Sequence, residues 1–229
     1  MNLSEKRLKH DLKIFNKNKI DNVFVDWTED NLYNPRVFII GPKDTPYENG
    51  FYGIEFKFTE KFPFEPPKAK FVTTDTKVRM NPNLYANGKV CLSLLGTWSG
   101  PQWTSCQNLY TIVLSIMTIL NDTPIRNEPG YEKVTKTHKS NVLYNQLIEH
   151  ANLRVGVIQM IEETPKGFEK IRDEIIKYFK ENYNWYKDKC IKNELLHYKQ
   201  YKRSPIYSWR EFFNYKKLKT ELKKLKKSL

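Results

Sequence analysis

Between Val23 and Thr73 the chain carries four short apolar runs, each too short to be a buried helix and each closed by turn-forming residues. Val23-Phe24-Val25-Asp26-Trp27 is the first, and Arg36-Val37-Phe38-Ile39-Ile40 the second, ended by Gly41-Pro42. The third, Tyr52-Gly53-Ile54-Glu55-Phe56-Lys57-Phe58, alternates with a period of two, as a half-buried strand does. Phe62-Pro63-Phe64-Glu65-Pro66-Pro67 then excludes both helix and central strand, because proline lacks an N–H donor and restrains its predecessor. Lys68 to Thr73 reads as a fourth strand. Successive strands with short connections predict an antiparallel meander.

Helical patterns flank this meander. Leu3 to Lys19 places Leu8, Leu12 and Phe15 on one face among lysines. Thr104 or Ser105 is placed to cap a helix carrying Leu109, Ile112, Val113, Ile116 and Leu120 inward. Ser140 to Glu163 reads as another, with Leu143, Leu147, Ile148, Leu153, Val157, Ile158 and Ile161 facing in. Helix, four-strand meander, then helices is an α+β order. Thr164-Pro165-Lys166-Gly167 punctuates the chain, so residues 1–163 are expected to form the core domain and 164–229 a basic helical C-terminal extension. The extension ends, from Phe212 to Leu229, in a basic amphipathic helix whose stripe of Leu218, Leu222, Leu225 and Leu229 is expected to pack on the parent domain.

The charge follows the same division. The formal charge is +13, but residues 185–229 hold 14 Lys/Arg against 4 Asp/Glu, while residues 1–184 hold 25 against 22. A basic chain points first to nucleic acid, yet here the excess lies outside the region with the informative motifs, so a nucleic-acid partner is not expected. Three unevenly spaced cysteines argue against a disulfide framework and for a reducing compartment. No apolar run reaches the roughly 18 residues of a membrane span, and MNLSEKRLKHDL has no apolar core of a secretory signal. The expected location is the cytoplasm, with the nucleus as the alternative. Abundant Asn, Lys, Ile and Tyr fit an AT-rich genome such as that of a protist or large virus, in which case it is host cytoplasm.

The chemistry concentrates in Asn81-Pro82-Asn83 and Asn87-Gly88-Lys89-Val90-Cys91-Leu92. Asn and Gly favour turns, which puts Cys91 in a structured loop. Most cysteines are inert core thiols, but Asn83, eight residues upstream, can offer an amide donor to a developing oxyanion. An ordinary thiol is a few per cent ionised at neutral pH, enough for a nucleophile. His10, His138, His150 and His197 lack metal-site spacing, and no phosphate-binding glycine loop is present, so no bound cofactor or metal is expected.

Gly41-Pro42-x-x-Thr45-Pro46-Tyr47-x-x-Gly50, the Phe-Pro-Phe-x-Pro-Pro segment, and Pro82-Asn83 before Cys91 together resemble the ubiquitin-conjugating enzymes and their UBC fold. Gly96-Thr97-Trp98-Ser99-Gly100-Pro101-Gln102-Trp103 and Asn127-Glu128-Pro129-Gly130-Tyr131 resemble a subclass with a long loop after the cysteine. The resemblance implies that Cys91 accepts ubiquitin or a ubiquitin-like modifier as a thioester from an activating enzyme, which alone uses ATP. The acyl group then passes to a substrate lysine or a ligase cysteine. It further implies that Asn83 supports the oxyanion or the loop, and that Glu128 is the acidic gate beside the site. Lys6, Arg7, Lys9 and Lys13 would meet the activating enzyme, and Phe64, Trp103 and Thr104 a ubiquitin ligase. Two departures stand out: Asn81 replaces the motif's histidine, and Thr104-Ser105-Cys106 lacks the proline of the usual ligase-docking segment. Cys106 and Cys190 read as structural thiols. An inactive variant of the fold would lack the cysteine, and a cysteine hydrolase would need a histidine base that no residue near Cys91 supplies.

Overall fold

The computed structural model describes residues 2–197 and 199–229. Helix α1 (Leu3–Lys17) starts under the side chain of Asn2, which accepts from the Glu5 N–H. It leads into strands β1 (Val23–Asp26), β2 (Arg36–Ile40), β3 (Phe51–Lys57) and β4 (Lys68–Phe71), paired in chain order and all antiparallel. The β2–β3 loop needs its glycine: a Cβ at Gly41 would lie 1.8 Å from the Tyr47 carbonyl oxygen. After the proline segment and an irregular stretch come α2 (Leu109–Ile119) and α3 (Lys139–Ala151). The axis of α3 continues through a wider π-helical stretch, Asn152–Gln159, into α4 (Met160–Glu162). The expected helix over 140–163 is therefore one rod with an altered winding in its second half.

The sheet is covered on both faces. Val37, Ile39, Tyr52, Ile54 and Phe56 point into one hydrophobic cluster with α1, α2 and part of α3. Phe38, Ile40 and Phe51, on the alternate side, point into a second cluster built with residues from 168 to 225. Phe168 meets Phe38 at a ring separation of 4.8 Å. The reading of β3 as half-buried is corrected here: Phe51 to Ile54 are all buried, because the C-terminal residues cover the face that alternation alone assigned to water.

Those residues form α5 (Glu169–Glu181), α6 (Tyr183–Leu196), a hairpin of β5 (Gln200–Arg203) and β6 (Arg210–Phe213), and α7 (Tyr215–Ser228). The extension is thus not wholly helical. Its final helix also starts at Tyr215, because Arg210–Phe213 pairs as a strand and Asn214 caps α7 by accepting from the Lys217 N–H. Leu218, Leu222 and Leu225 are buried, and Lys216, Lys217, Lys223, Lys224, Lys226 and Lys227 remain exposed. The apolar stripe packs on the parent fold and the lysines stay in water.

A buried carboxylate, Glu211, fastens the hairpin. The Asn214 N–H donates to His150 Nε2 at 3.0 Å, so the Nδ1–H is the donor to Glu211 Oε1 at 2.8 Å. Arg154 donates to both Glu211 oxygens, from Nε at 2.8 Å and Nη2 at 2.9 Å, and also reaches Asp75.

Candidate active site

Cys91 is 1% exposed and lies just before a short 3₁₀ turn, Ser93–Leu95. Its N–H donates to the Asn83 carbonyl at 2.8 Å, and Asn83 Nδ2 donates to the Cys91 carbonyl at 2.6 Å. The asparagine amide therefore holds the cysteine loop by its backbone, and Asn83 Oδ1 is buried without a hydrogen-bond partner. Thr97 closes the other side. Its hydroxyl accepts from the Leu92 N–H at 2.9 Å and lies 2.8 Å from the Val90 carbonyl.

Asn81, where the family motif has histidine, is fully buried and fully used. Its Nδ2 donates to the Tyr47 hydroxyl at 2.9 Å and the Ile119 carbonyl at 2.8 Å, and Oδ1 accepts from the Asn83 N–H at 2.9 Å. Tyr47 in turn donates to the Met80 carbonyl. Burial pushes its hydroxyl far above the ordinary phenol range, against the opposing hydrogen bond from Asn81. The β2–β3 motif and the cysteine loop are thereby one hydrogen-bonded unit.

Glu128 ends a second 3₁₀ turn, Pro124–Asn127, and its side chain is partly exposed. The neighbouring Asn127 approaches Asn81 Oδ1 at 3.4 Å, which ties the gate to the cysteine loop. Arg79 stands 4.0 Å from Glu128 Oε2, stacks on the Tyr85 ring at 3.5 Å, and donates to the Pro82 carbonyl. Tyr207, from the β5–β6 loop, donates to Glu128 Oε2 at 2.5 Å. Sequence reasoning missed Arg79, Thr97 and Tyr207. A cation two residues before Asn81 was the one visible cue. Tyr207 lies in a turn-rich stretch with no periodicity, far from the motif.

The other expected site residues fall on a separate surface. Phe64 is 72% exposed. Trp103 packs on Phe62 and donates from Nε1 to the Pro63 carbonyl at 2.7 Å, with Thr104 exposed beside it. Lys6 and Lys13 are exposed on α1, and Lys9 bridges Glu5 and Glu29 at 3.3 Å each. Arg7 is turned inward: it pairs with Asp11 and donates to the carbonyls of Ser105 and Gln107. It joins α1 to the loop before α2 and has little left for a partner. The expected cap of α2 is also corrected, since Asn108, not Thr104 or Ser105, accepts from the Thr111 N–H in a reciprocal capping box.

The three cysteines differ in kind. Cys190 is buried, and burial pushes its thiol up to about 12. Cys106 is exposed in the turn ahead of α2, so its reading as a packed structural thiol is corrected. Only Cys91 is built into an asparagine-braced loop.

A family model for ubiquitin-conjugating enzymes matches residues 7–152, a span that contains Cys91 and Glu128 and excludes Cys190. Ubiquitin-conjugating enzyme E2 Z of Xenopus tropicalis is 36% identical over 217 residues, covering 94% of this chain and 69% of the relative. The human E2 Z is 37% identical over 213 residues, covering 93% and 60% respectively. A crystal structure of a candidate ubiquitin conjugating enzyme from Plasmodium yoelii shares the fold at a TM-score of 0.53 and 23% identity, covering 68% of this chain and 97% of that one. Among the described residues no helix is long and apolar enough to cross a membrane. The chain belongs to the ubiquitin-conjugating enzyme family, whose members carry ubiquitin as a cysteine thioester and work with an activating enzyme and ligases.

Proposed function

We propose that Cys91 is the acyl-carrying cysteine, with ubiquitin as the modifier. The observation that carries this reading is the reciprocal pair between Cys91 and Asn83, at 2.8 Å and 2.6 Å. Residues 1–163 act as the conjugating core and 164–229 as an extension packed against it. Loading requires the cysteine loop to yield, since Cys91 is almost wholly covered. When it yields, the Asn83 amide can turn from the Cys91 carbonyl to the oxyanion of the tetrahedral intermediate.

In the transfer step the amine nitrogen of a lysine forms a bond to the thioester carbonyl carbon. The C–Sγ bond breaks with its electron pair on Cys91, and the proton shed by nitrogen passes to Glu128 and then to solvent. A lysine near its ordinary pKa of ~10.4 is almost entirely protonated at neutral pH. An acceptor carboxylate that orients the amine therefore contributes directly to the rate. Lys6, Lys9 and Lys13 offer the activating enzyme a basic helix face. Phe64, Trp103 and Thr104 offer a ligase an exposed aromatic beside a loop braced by Arg7. The chain itself binds no cofactor and ATP is consumed upstream, in the cytoplasm or nucleus.

The test is single-turnover discharge of the ubiquitin-loaded chain onto free lysine. Wild type is expected to discharge, and Glu128→Ala to do so about a hundredfold more slowly, the low end of what a positioned proton acceptor contributes. Equal rates would remove Glu128 from the mechanism.

A further inference from the structure

Tyr207 lies in the loop joining β5 to β6, outside the residues matched by the family model, yet it bonds to the proposed gate. The loop is well held. The Ser204 N–H donates to the Trp209 carbonyl at 3.0 Å, and Ser204 Oγ accepts from the N–H groups of Ile206 and Tyr207 at 3.4 and 3.2 Å. Just beyond it, Glu211 is fixed by His150 and Arg154. The Tyr207 ring packs edge-on against Tyr144 at 6.3 Å, and the Arg79 guanidinium lies 4.4 Å from its centroid. Arg79 reaches the Pro82 carbonyl, one residue before Asn83. Hairpin, gate and cysteine loop are thus joined by an unbroken series of side-chain contacts.

The chemistry of the contact is directional. Burial first, and then the hydrogen bond to Glu128, push the Tyr207 hydroxyl far above the ordinary phenol range, so it remains a donor at any working pH. Its bond and the nearby Arg79 both act on Glu128 Oε2. Among the described residues no protein donor engages Glu128 Oε1. One oxygen is held and the other is left open.

We propose that Tyr207 is a positioning residue for lysine transfer: it fixes Glu128 by Oε2 so that Oε1 is presented to the incoming amine. The C-terminal extension then completes the active site of the enzyme to which it is attached. This inference rests on the reading of Cys91 and Glu128 given above.

The test uses the full chain, loaded with ubiquitin by ubiquitin-activating enzyme and ATP and chased with free lysine at varied concentration. Wild type, Tyr207→Phe, Glu128→Ala and the double variant are compared. Tyr207→Phe keeps the ring against Arg79 and removes only the donor. It is expected to raise the half-saturating lysine concentration about fivefold and to lower the maximal rate. In the Glu128→Ala background the same change is expected to do nothing further, as two residues acting as a unit should. Loss of folded protein lowers the maximal rate without moving the half-saturating concentration, so a merely structural role is distinguishable. An unchanged lysine dependence, an effect of equal size in both backgrounds, or faster discharge would each overturn the proposal. A wild-type chain that is not loaded on Cys91 would overturn the underlying site reading as well, before any variant is compared.

Discussion

Asn81 shows how a motif position can change residue and keep its task. Its amide supplies two donors and an acceptor to Tyr47, Ile119 and Asn83 with no exposure to solvent. The departure from histidine is visible in the sequence, and it poses the question of what holds the loop. The structure answers it through partners 34 and 38 residues away, which no local pattern reveals. Asn81→Ala leaves buried groups unpaired at about 1–3 kcal/mol each, so a total loss near ~3 kcal/mol is expected in denaturant unfolding. Loading should slow in parallel. A variant as stable as wild type would mean that the loop is held elsewhere. Cys91 and Asn83 stand out in the sequence because turn residues and an eight-residue spacing mark them, and Glu128 stands out only through the family resemblance. Arg79 and Tyr207 do not, because a lone cation and a loop tyrosine carry no period.

The four strands were legible as short apolar runs closed by turn residues, and the leucine stripe of α7 from its helical period. The β5–β6 hairpin was not. Gln200–Arg203 is polar throughout, and Arg210–Phe213 is too short to break a helical pattern. What holds the hairpin is the buried Glu211 with His150 and Arg154. Burial raises the Glu211 carboxyl, but the hydrogen bonds from His150 and Arg154 outweigh it and hold it below the usual carboxylate range. Asp75, beside the same arginine, is also lowered: burial acts against the shift, and the Val78 N–H and Arg154 overcome it. Because folding lowers these values, their stabilisation is present above the unfolded carboxyl values near ~4 and is lost as pH falls through the folded ones. Stability against thermal unfolding should therefore fall steeply below about pH 4. Glu211→Gln is expected to cost about 3 kcal/mol at pH 7 and to flatten the acid dependence. If the variant kept the wild-type pH profile, another group would be responsible.

The whole molecule is built around a four-stranded sheet with two covered faces, and the second cover is the part that looked like an appendage. Sequence alternation reports that a strand has two faces, and only tertiary structure reports what lies on each. Removing residues 164–229 would uncover Phe38, Ile40 and Phe51 together with the inner side of the α3 rod. A chain ending at Glu163 is accordingly expected to aggregate or bind hydrophobic dye, whereas the full chain should unfold in one cooperative transition. A soluble, cooperatively folding 1–163 fragment would contradict that dependence. The +13 charge takes its place in the same picture, because the leucines of α7 face the fold and its lysines face water.

The most direct test of the central claim is the loading reaction itself, with ubiquitin, ubiquitin-activating enzyme and ATP, read on gels with and without reductant. The account predicts a single adduct that reductant removes, that is absent in Cys91→Ala and that persists in Cys106→Ala. In Cys91→Ser the account predicts an adduct that resists reductant, since an oxyester replaces the thioester. An adduct that survives in Cys91→Ala, or none in the wild-type chain with any activating enzyme and modifier tried, would contradict it.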